Sequence, residues 1–172
     1  MVSDETLILE FQRGSPDAFE ELFARYRELV HGFFRRRLPD RERASDLTQE
    51  TFLAVIRAKA RYEPVSTARA YLFGIAFKLL AAERRSLARQ EPAAQQAVEP
   101  AAPGAPDAAL WVRQAIARLD PPEREVLMLR EYEQLSYAEI AGVLWVPLNT
   151  VRTRLFHARR RLRDLLDPER AP

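Results

Sequence analysis

Apolar residues recur along this chain at three- and four-residue intervals, the spacing that puts them on one side of an α-helix. Phe19, Leu22, Phe23, Tyr26, Leu29, Val30, Phe33 and Phe34 fall on one such face. Pro16 and Asp17 start that helix and Leu38-Pro39-Asp40 stops it, since a residue preceding proline is pushed out of helical geometry. A second helix is expected from Ala44 to Ala60, with Leu47, Phe52, Val55 and Ile56 as its apolar positions. Pro64 breaks the pattern between Arg61 and Ser66. A third helix then runs from Thr67 to Ala88 through Tyr71, Leu72, Ile75, Ala76, Leu79 and Leu80.

The pattern lapses at residues 89–107, RQEPAAQQAVEPAAPGAPD, which hold four prolines and almost nothing to bury. It resumes with Leu110, Trp111, Val112, Ala115, Ile116 and Leu119. Asp120-Pro121-Pro122-Glu123 reads as a helix start, with Asp120 as its cap. Ser136 and Glu139 are spaced as a capping box. The expectation is an all-α protein of two small helical domains, 1–88 and 108–168, joined by a flexible linker at 89–107. Such a linker of about twenty residues spans about 25 Å when relaxed and about 65 Å when pulled straight.

Within the second domain, residues 135–163 read as a helix-turn-helix. Ala141 is the small residue where the two helices cross, Leu144 and Val151 fill the shared core, and Asn149 or Thr150 caps the second helix. The turn position that ordinarily takes a left-handed backbone, which glycine tolerates, carries Trp145. Either the turn adopts another conformation or Trp145 accepts strain in exchange for packing.

Charge gives this motif a ligand. The 172 residues carry a net charge of only +2, but Arg152, Arg154, Arg159, Arg160, Arg161 and Arg163 crowd one helix with no acidic residue among them. A polyanion relieves their mutual repulsion, and DNA does so with release of counterions. With Val151, Leu155 and Leu162 turned inward, Arg152, Thr153, Arg154, His157 and Arg159 face a major groove or its flanking phosphates. The remaining composition removes other classes. The absence of cysteine excludes disulfides and thiolate zinc sites. The acidic N-terminus lacks a secretion signal's basic start, and no apolar run nears the roughly eighteen residues of a membrane span, so a cytoplasmic location without membrane insertion is expected. His31 and His157 lie in separate domains without a carboxylate cluster, which argues against an enzyme. Two readings are open on these grounds alone: a free-standing helix-turn-helix transcriptional regulator, and a pure interaction protein, which would not need the arginine helix.

The run AIARLDPPEREVLMLREYEQLSYAEIAGVLWVPLNTVRTRLFHARRRL resembles region 4 of the sigma-70 family, in its extracytoplasmic-function (ECF) group. DAFEELFARYRELV, DLTQETF at 46–52 and YLFGIAFKLLAAERR at 71–85 resemble region 2 of the same group, in the right order. The resemblance implies a bacterial sigma factor that binds core RNA polymerase, recognises and opens promoter DNA, and initiates transcription. It also implies control by an anti-sigma factor. No cofactor is implied, and a monomer is expected.

By residue, the resemblance implies that Asn149, Thr150, Arg152, Thr153, Arg154, His157, Arg159 and Arg160 contact the −35 element. Asp46, Leu47, Gln49, Glu50 and Phe52 would contact core polymerase through an acidic, amide-bearing face suited to a basic partner helix. Opening DNA requires capture of unstacked bases by aromatic platforms and basic grooves. Lys59, Arg61, Tyr62, Ser66, Thr67, Arg69 and Tyr71 supply these for the −10 element, with Lys78, Arg84 and Arg85 on its backbone. Several positions depart from the family pattern. Tyr71 stands where tryptophan is usual, Phe77-Lys78 where Arg-Asn is usual, Ala82 where aspartate is usual, and His157 where arginine is usual.

Overall fold

The computed structural model of the chain describes residues 1–90 and 107–167, and among these all regular structure is helical. The chain divides into two compact units, Met1–Ala97 and Val98–Pro172. Most of the expected linker, 91–106, lies outside the described residues. Its edges are helical: Arg89 and Gln90 end one helix and Asp107 begins another.

Unit 1 contains α1 (Asp4–Gln12), α2 (Pro16–Arg35), α3 (Arg41–Ala58), a 3-10 turn (Lys59–Arg61) and α4 (Ala68–Gln90). Helix α1 has no counterpart in the sequence reading. It starts on Ser3, whose hydroxyl accepts from the Thr6 amide at 3.1 Å, and buries Leu7, Ile8 and Phe11. Ser15 caps α2 ahead of Pro16. Asp40 caps α3 by accepting from the amides of Glu42 and Arg43, which starts that helix three residues earlier than the apolar spacing suggests.

The unit closes around aromatic rings. Phe23 meets the edge of Phe52 at 4.8 Å, and Phe33 lies 5.8 Å from Phe73, a fully buried residue absent from the predicted core. Leu29 and Ile56, both read as belonging to the apolar faces of their helices, are exposed instead. Apolar residues occur on more than one side of α2 and α3, so spacing alone misassigns those two.

Asp4 ties α1 to α2. It accepts from the Tyr26 hydroxyl at 2.5 Å and from Arg25 at 2.7 Å. Burial pushes the Asp4 carboxyl up, but the hydrogen bonds from Tyr26 and Arg25 outweigh it and hold the group below its ordinary range. A carboxylate depressed in the folded state contributes stability above its unfolded pKa of about 3.9 and loses that contribution as pH falls through the lower folded value. Asp4→Asn is therefore expected to be less stable than the parent in urea denaturation at neutral pH. That gap should narrow as pH falls below the unfolded value and through the lower folded one; a gap independent of pH would contradict the assignment.

Unit 2 contains α5 (Asp107–Ala117), α6 (Pro121–Glu131), α7 (Tyr137–Leu144) and α8 (Leu148–Leu166). Helix α8 packs on α5, α6 and α7 through Val151, Leu155 and Ala158. Trp111 and Val112, part of the apolar pattern with which this unit opens, lie at the surface. Asp120 occupies the cap position of α6, but its side chain makes no capping hydrogen bond.

Candidate nucleic-acid and partner interfaces

The helix-turn-helix forms as its capping residues dictate. Ser136 Oγ accepts from the Glu139 amide at 3.1 Å and Glu139 Oε2 accepts from the Ser136 amide at 2.6 Å, completing the capping box. The buried residues of α7 are Ile140 and Val143, whereas Leu144 is half-buried. Helix α8 begins at Leu148 behind Pro147 with no side-chain cap, so neither Asn149 nor Thr150 serves as the cap. Trp145 resolves differently from both sequence-based alternatives. Its backbone is left-handed (φ 55°, ψ 46°), yet its side chain is 84% exposed. The strain costs about 1–2 kcal/mol for a residue with a Cβ, and no packing offsets it.

Burial of Val151, Leu155 and Ala158 fixes which side of α8 faces outward. Asn149, Thr153, His157 and Arg160 lie near the middle of the exposed side, at about 100° of rotation per residue. Arg152 and the half-buried Arg154 lie on its two flanks. Arg152 donates to Asn149 Oδ1 at 3.2 Å, and Thr153 donates to the Asn149 carbonyl at 2.9 Å. Arg159 turns away from the middle, donating to Glu131 at 3.0 Å and to the Tyr137 hydroxyl at 3.4 Å. His157 Nδ1 lies 3.6 Å from Glu123. Phe156, unremarked in the sequence, is 63% exposed beside these cations. Beside Arg159 and Arg163, Val112, Ile116, Leu127, Met128, Tyr132 and Leu162 line a largely apolar groove of about 760 Å³.

In unit 1 the predicted −10 residues separate into three groups. Tyr71, Lys78 and Arg85, spaced by seven, share one face of α4 over about 21 Å. Arg84 lies about 100° around the helix from Arg85 and is half-buried. Arg61 and Ser66 are exposed around the loop, together with Val65. The third group points inward or is already engaged. The Arg69 guanidinium lies over the Tyr26 ring at 5.5 Å, and Lys59 over Phe11 at 5.1 Å. Thr67 Oγ1 accepts from the Ala70 amide at 3.2 Å, in the manner of a helix cap.

Tyr62 is only 6% exposed, packs its ring against Tyr71 at 4.8 Å, and leaves its hydroxyl without a hydrogen-bond partner. It supports the loop from beneath and is not a surface platform. Helix α1 holds the same loop: Gln12 donates to the Tyr62 carbonyl at 2.9 Å, and Glu5 accepts from the Ala68 amide at 3.1 Å. Tyr62→Phe removes an unsatisfied buried hydroxyl, which costs about 1–3 kcal/mol to bury. It is expected to leave thermal stability equal or higher and transcription intact. Loss of transcription in a stable Tyr62→Phe protein would return the hydroxyl to the interface.

Helix α3 corrects the third set of predictions. Asp46 and Gln49 project outward, whereas Leu47 and Phe52 are buried and belong to the core. Glu50 is partly engaged, accepting from Arg43 at 3.1 Å while Arg43 also donates to Glu83 at 2.8 Å. The outward stripe is Glu42, Asp46, Gln49, Leu53 and Ile56, of which Leu53 is 45% and Ile56 40% exposed. The face therefore changes from acidic and amide at one end to aliphatic at the other. Among the described residues no group of three or more histidines and carboxylates could hold a metal, and no helix is long and apolar enough to cross a membrane.

Comparison with known proteins places these two units. Residues 22–90 match the model of sigma-70 region 2, and residues 109–162 match that of sigma-70 region 4. The chain is 33% identical to the RNA polymerase sigma factor CarQ of Myxococcus xanthus, over 91% of this chain and 93% of that one. It is 36% identical to the ECF RNA polymerase sigma factor SigC of Mycobacterium tuberculosis, over 77% of this chain and 75% of the relative. The fold is similar to that of CnrH, solved in complex with the cytosolic domain of CnrY. The TM-score is 0.71 and the identity 27%, covering 95% of this chain and 97% of that one.

Proposed function

The chain belongs to the sigma-70 family, in its ECF group, and from that premise we propose how its two units share the work of a transcription initiation factor. Unit 2 binds the −35 element, with the exposed side of α8 in the major groove. Unit 1 docks on core RNA polymerase through the outward stripe of α3. It engages the −10 element through Arg61, Val65 and Ser66 of the loop and the Tyr71–Lys78–Arg85 face of α4. Tyr62, Thr67 and Arg69 position that loop, and Leu47 and Phe52 hold α3 in place without touching the partner.

The observation that carries this reading is that the two family matches, region 2 and then region 4, fall on separate compact units, each with a differently charged exposed face. Each footprint is small, so neither unit alone grips a promoter tightly at physiological salt. Docked together on polymerase, the second contact becomes intramolecular and its effective concentration rises.

Control by an anti-sigma factor fits the apolar surface each unit leaves open, Leu53 and Ile56 on α3 and the groove beneath α8. CnrH was solved holding a domain of a second protein. The place of action is the cytoplasm, and the active form is a monomer bound to polymerase. Run-off transcription with purified bacterial core polymerase on a library of genomic promoters tests the reading. Promoter-specific transcripts that require this chain are expected. Failure to support initiation on any template, with the chain folded, would overturn it.

A further inference from the structure

Trp145 holds a left-handed backbone that suits glycine, and its indole touches almost nothing in its own unit. Backbone strain of this kind marks a functional position when the surroundings gain nothing from it. The residue stands three positions ahead of Leu148, where α8 begins, and Leu148 is itself exposed. In a helix-turn-helix the second helix meets the groove with its N-terminal residues. The turn that leads into it therefore lies at the groove's rim. No acidic residue occurs from 140 to 163, so the turn and the helix that follows it bring no negative charge of their own towards a phosphate backbone. An indole offers such a backbone two things, an apolar face for deoxyribose and one N–H for a phosphate oxygen.

We propose that Trp145 is a duplex-DNA contact, packing on the sugar–phosphate backbone at the edge of the −35 element. The proposal rests on the reading of unit 2 as the −35-binding unit. Trp145 adds affinity rather than base preference, because sugars and phosphates carry no direct sequence information.

The test uses the full chain with Trp111→Phe, which leaves Trp145 as the sole tryptophan. Its emission is followed as −35 duplex is added at low salt, where phosphate binding is tightest. Quenching that saturates with duplex and reverses with salt is expected. Trp145→Gly and Trp145→Asn, both tolerant of a left-handed backbone, should each bind the duplex about tenfold more weakly, a change of about 1.4 kcal/mol. Trp145→Gly should also melt several degrees higher, so weaker binding cannot be ascribed to unfolding.

Unchanged emission, with binding still lost in an Arg152→Ala, Arg154→Ala double variant, overturns the Trp145 contact and leaves the reading of unit 2 standing. Undiminished duplex binding by that double variant overturns both. Failure of Trp145→Gly to assemble with core polymerase while duplex binding is normal also overturns the proposal, because the indole then meets a protein.

Discussion

Replacing Arg152 and Arg154 together with alanine is expected to weaken −35 binding by about 10²- to 10⁴-fold, taking each charge-assisted contact as worth about 1.5–3 kcal/mol, while leaving base preference unchanged. Two residues apart on a helix, their side chains diverge by about 200°. Val151, Leu155 and Ala158 fix the buried side, so each arginine leaves α8 on a different flank of the exposed face. A helix seated in the groove with Asn149 and Thr153 at its centre sends one guanidinium towards each phosphate strand. Such contacts position the helix without reading sequence.

The diagnostic measurement is the dependence of affinity on salt, which should become shallower by about 0.9 per lost phosphate contact, or about 1.8 for the pair. Asn149→Ala should do the reverse, relaxing preference at one base pair with little change in slope. An arginine pair whose loss relaxes sequence preference at constant slope would place the guanidiniums on base edges and rotate the docked helix. Unchanged affinity would remove α8 from the promoter. Arg159, already held by Glu131 and Tyr137, should matter less than either.

Local chemistry made part of this molecule readable. Ser136 with Glu139, and Pro16 behind a serine, fix helix starts because their partners lie within three residues. Arginine crowding on α8 is visible for the same reason. What spacing does not reveal is which of two neighbouring apolar residues faces inward, since that depends on where the next helix lies. On α3 the motif DLTQETF marks the correct helix, yet Leu47 and Phe52 within it are core while Leu53 and Ile56 are exposed. Tyr62 shows the same limit: an aromatic beside basic residues looks like a base platform until Tyr71, Gln12 and the rest of α1 close over it. Helix α1 had its own signal, Ser3-Asp4-Glu5 ahead of Leu7, Ile8 and Phe11, but nine residues are too short for a persuasive apolar pattern. Trp145 could not be resolved from sequence because its strain is offset by nothing inside the protein.

Leu53→Asp and Phe52→Ala, neighbours in sequence, should fail in opposite ways. Phe52 is buried, its ring edge-to-face with Phe23 at 4.8 Å between centroids and 6.4 Å from Phe19. Truncating it opens a cavity between α2 and α3 and should cost unit 1 about 3–5 kcal/mol, a large share of a small domain's stability. Binding to polymerase would then be lost through unfolding, visible as reduced helicity and a lower urea midpoint. Leu53 is 45% exposed on the stripe with Asp46 and Gln49. A surface substitution there changes stability by only about 0.5 kcal/mol. A carboxylate in place of an aliphatic anchor at the centre of an interface costs about 2 kcal/mol or more, roughly thirtyfold in affinity. Leu53→Asp should therefore melt like the parent yet fail to co-purify with core polymerase or support run-off transcription, while its −35 duplex binding at low salt stays intact through unit 2. A folded Leu53→Asp protein that still forms holoenzyme would move the polymerase contact off this side of α3. A Phe52→Ala protein of parental stability would mean that Phe52 is not core, and the acidic, aliphatic stripe would lose the physical reason for facing outward.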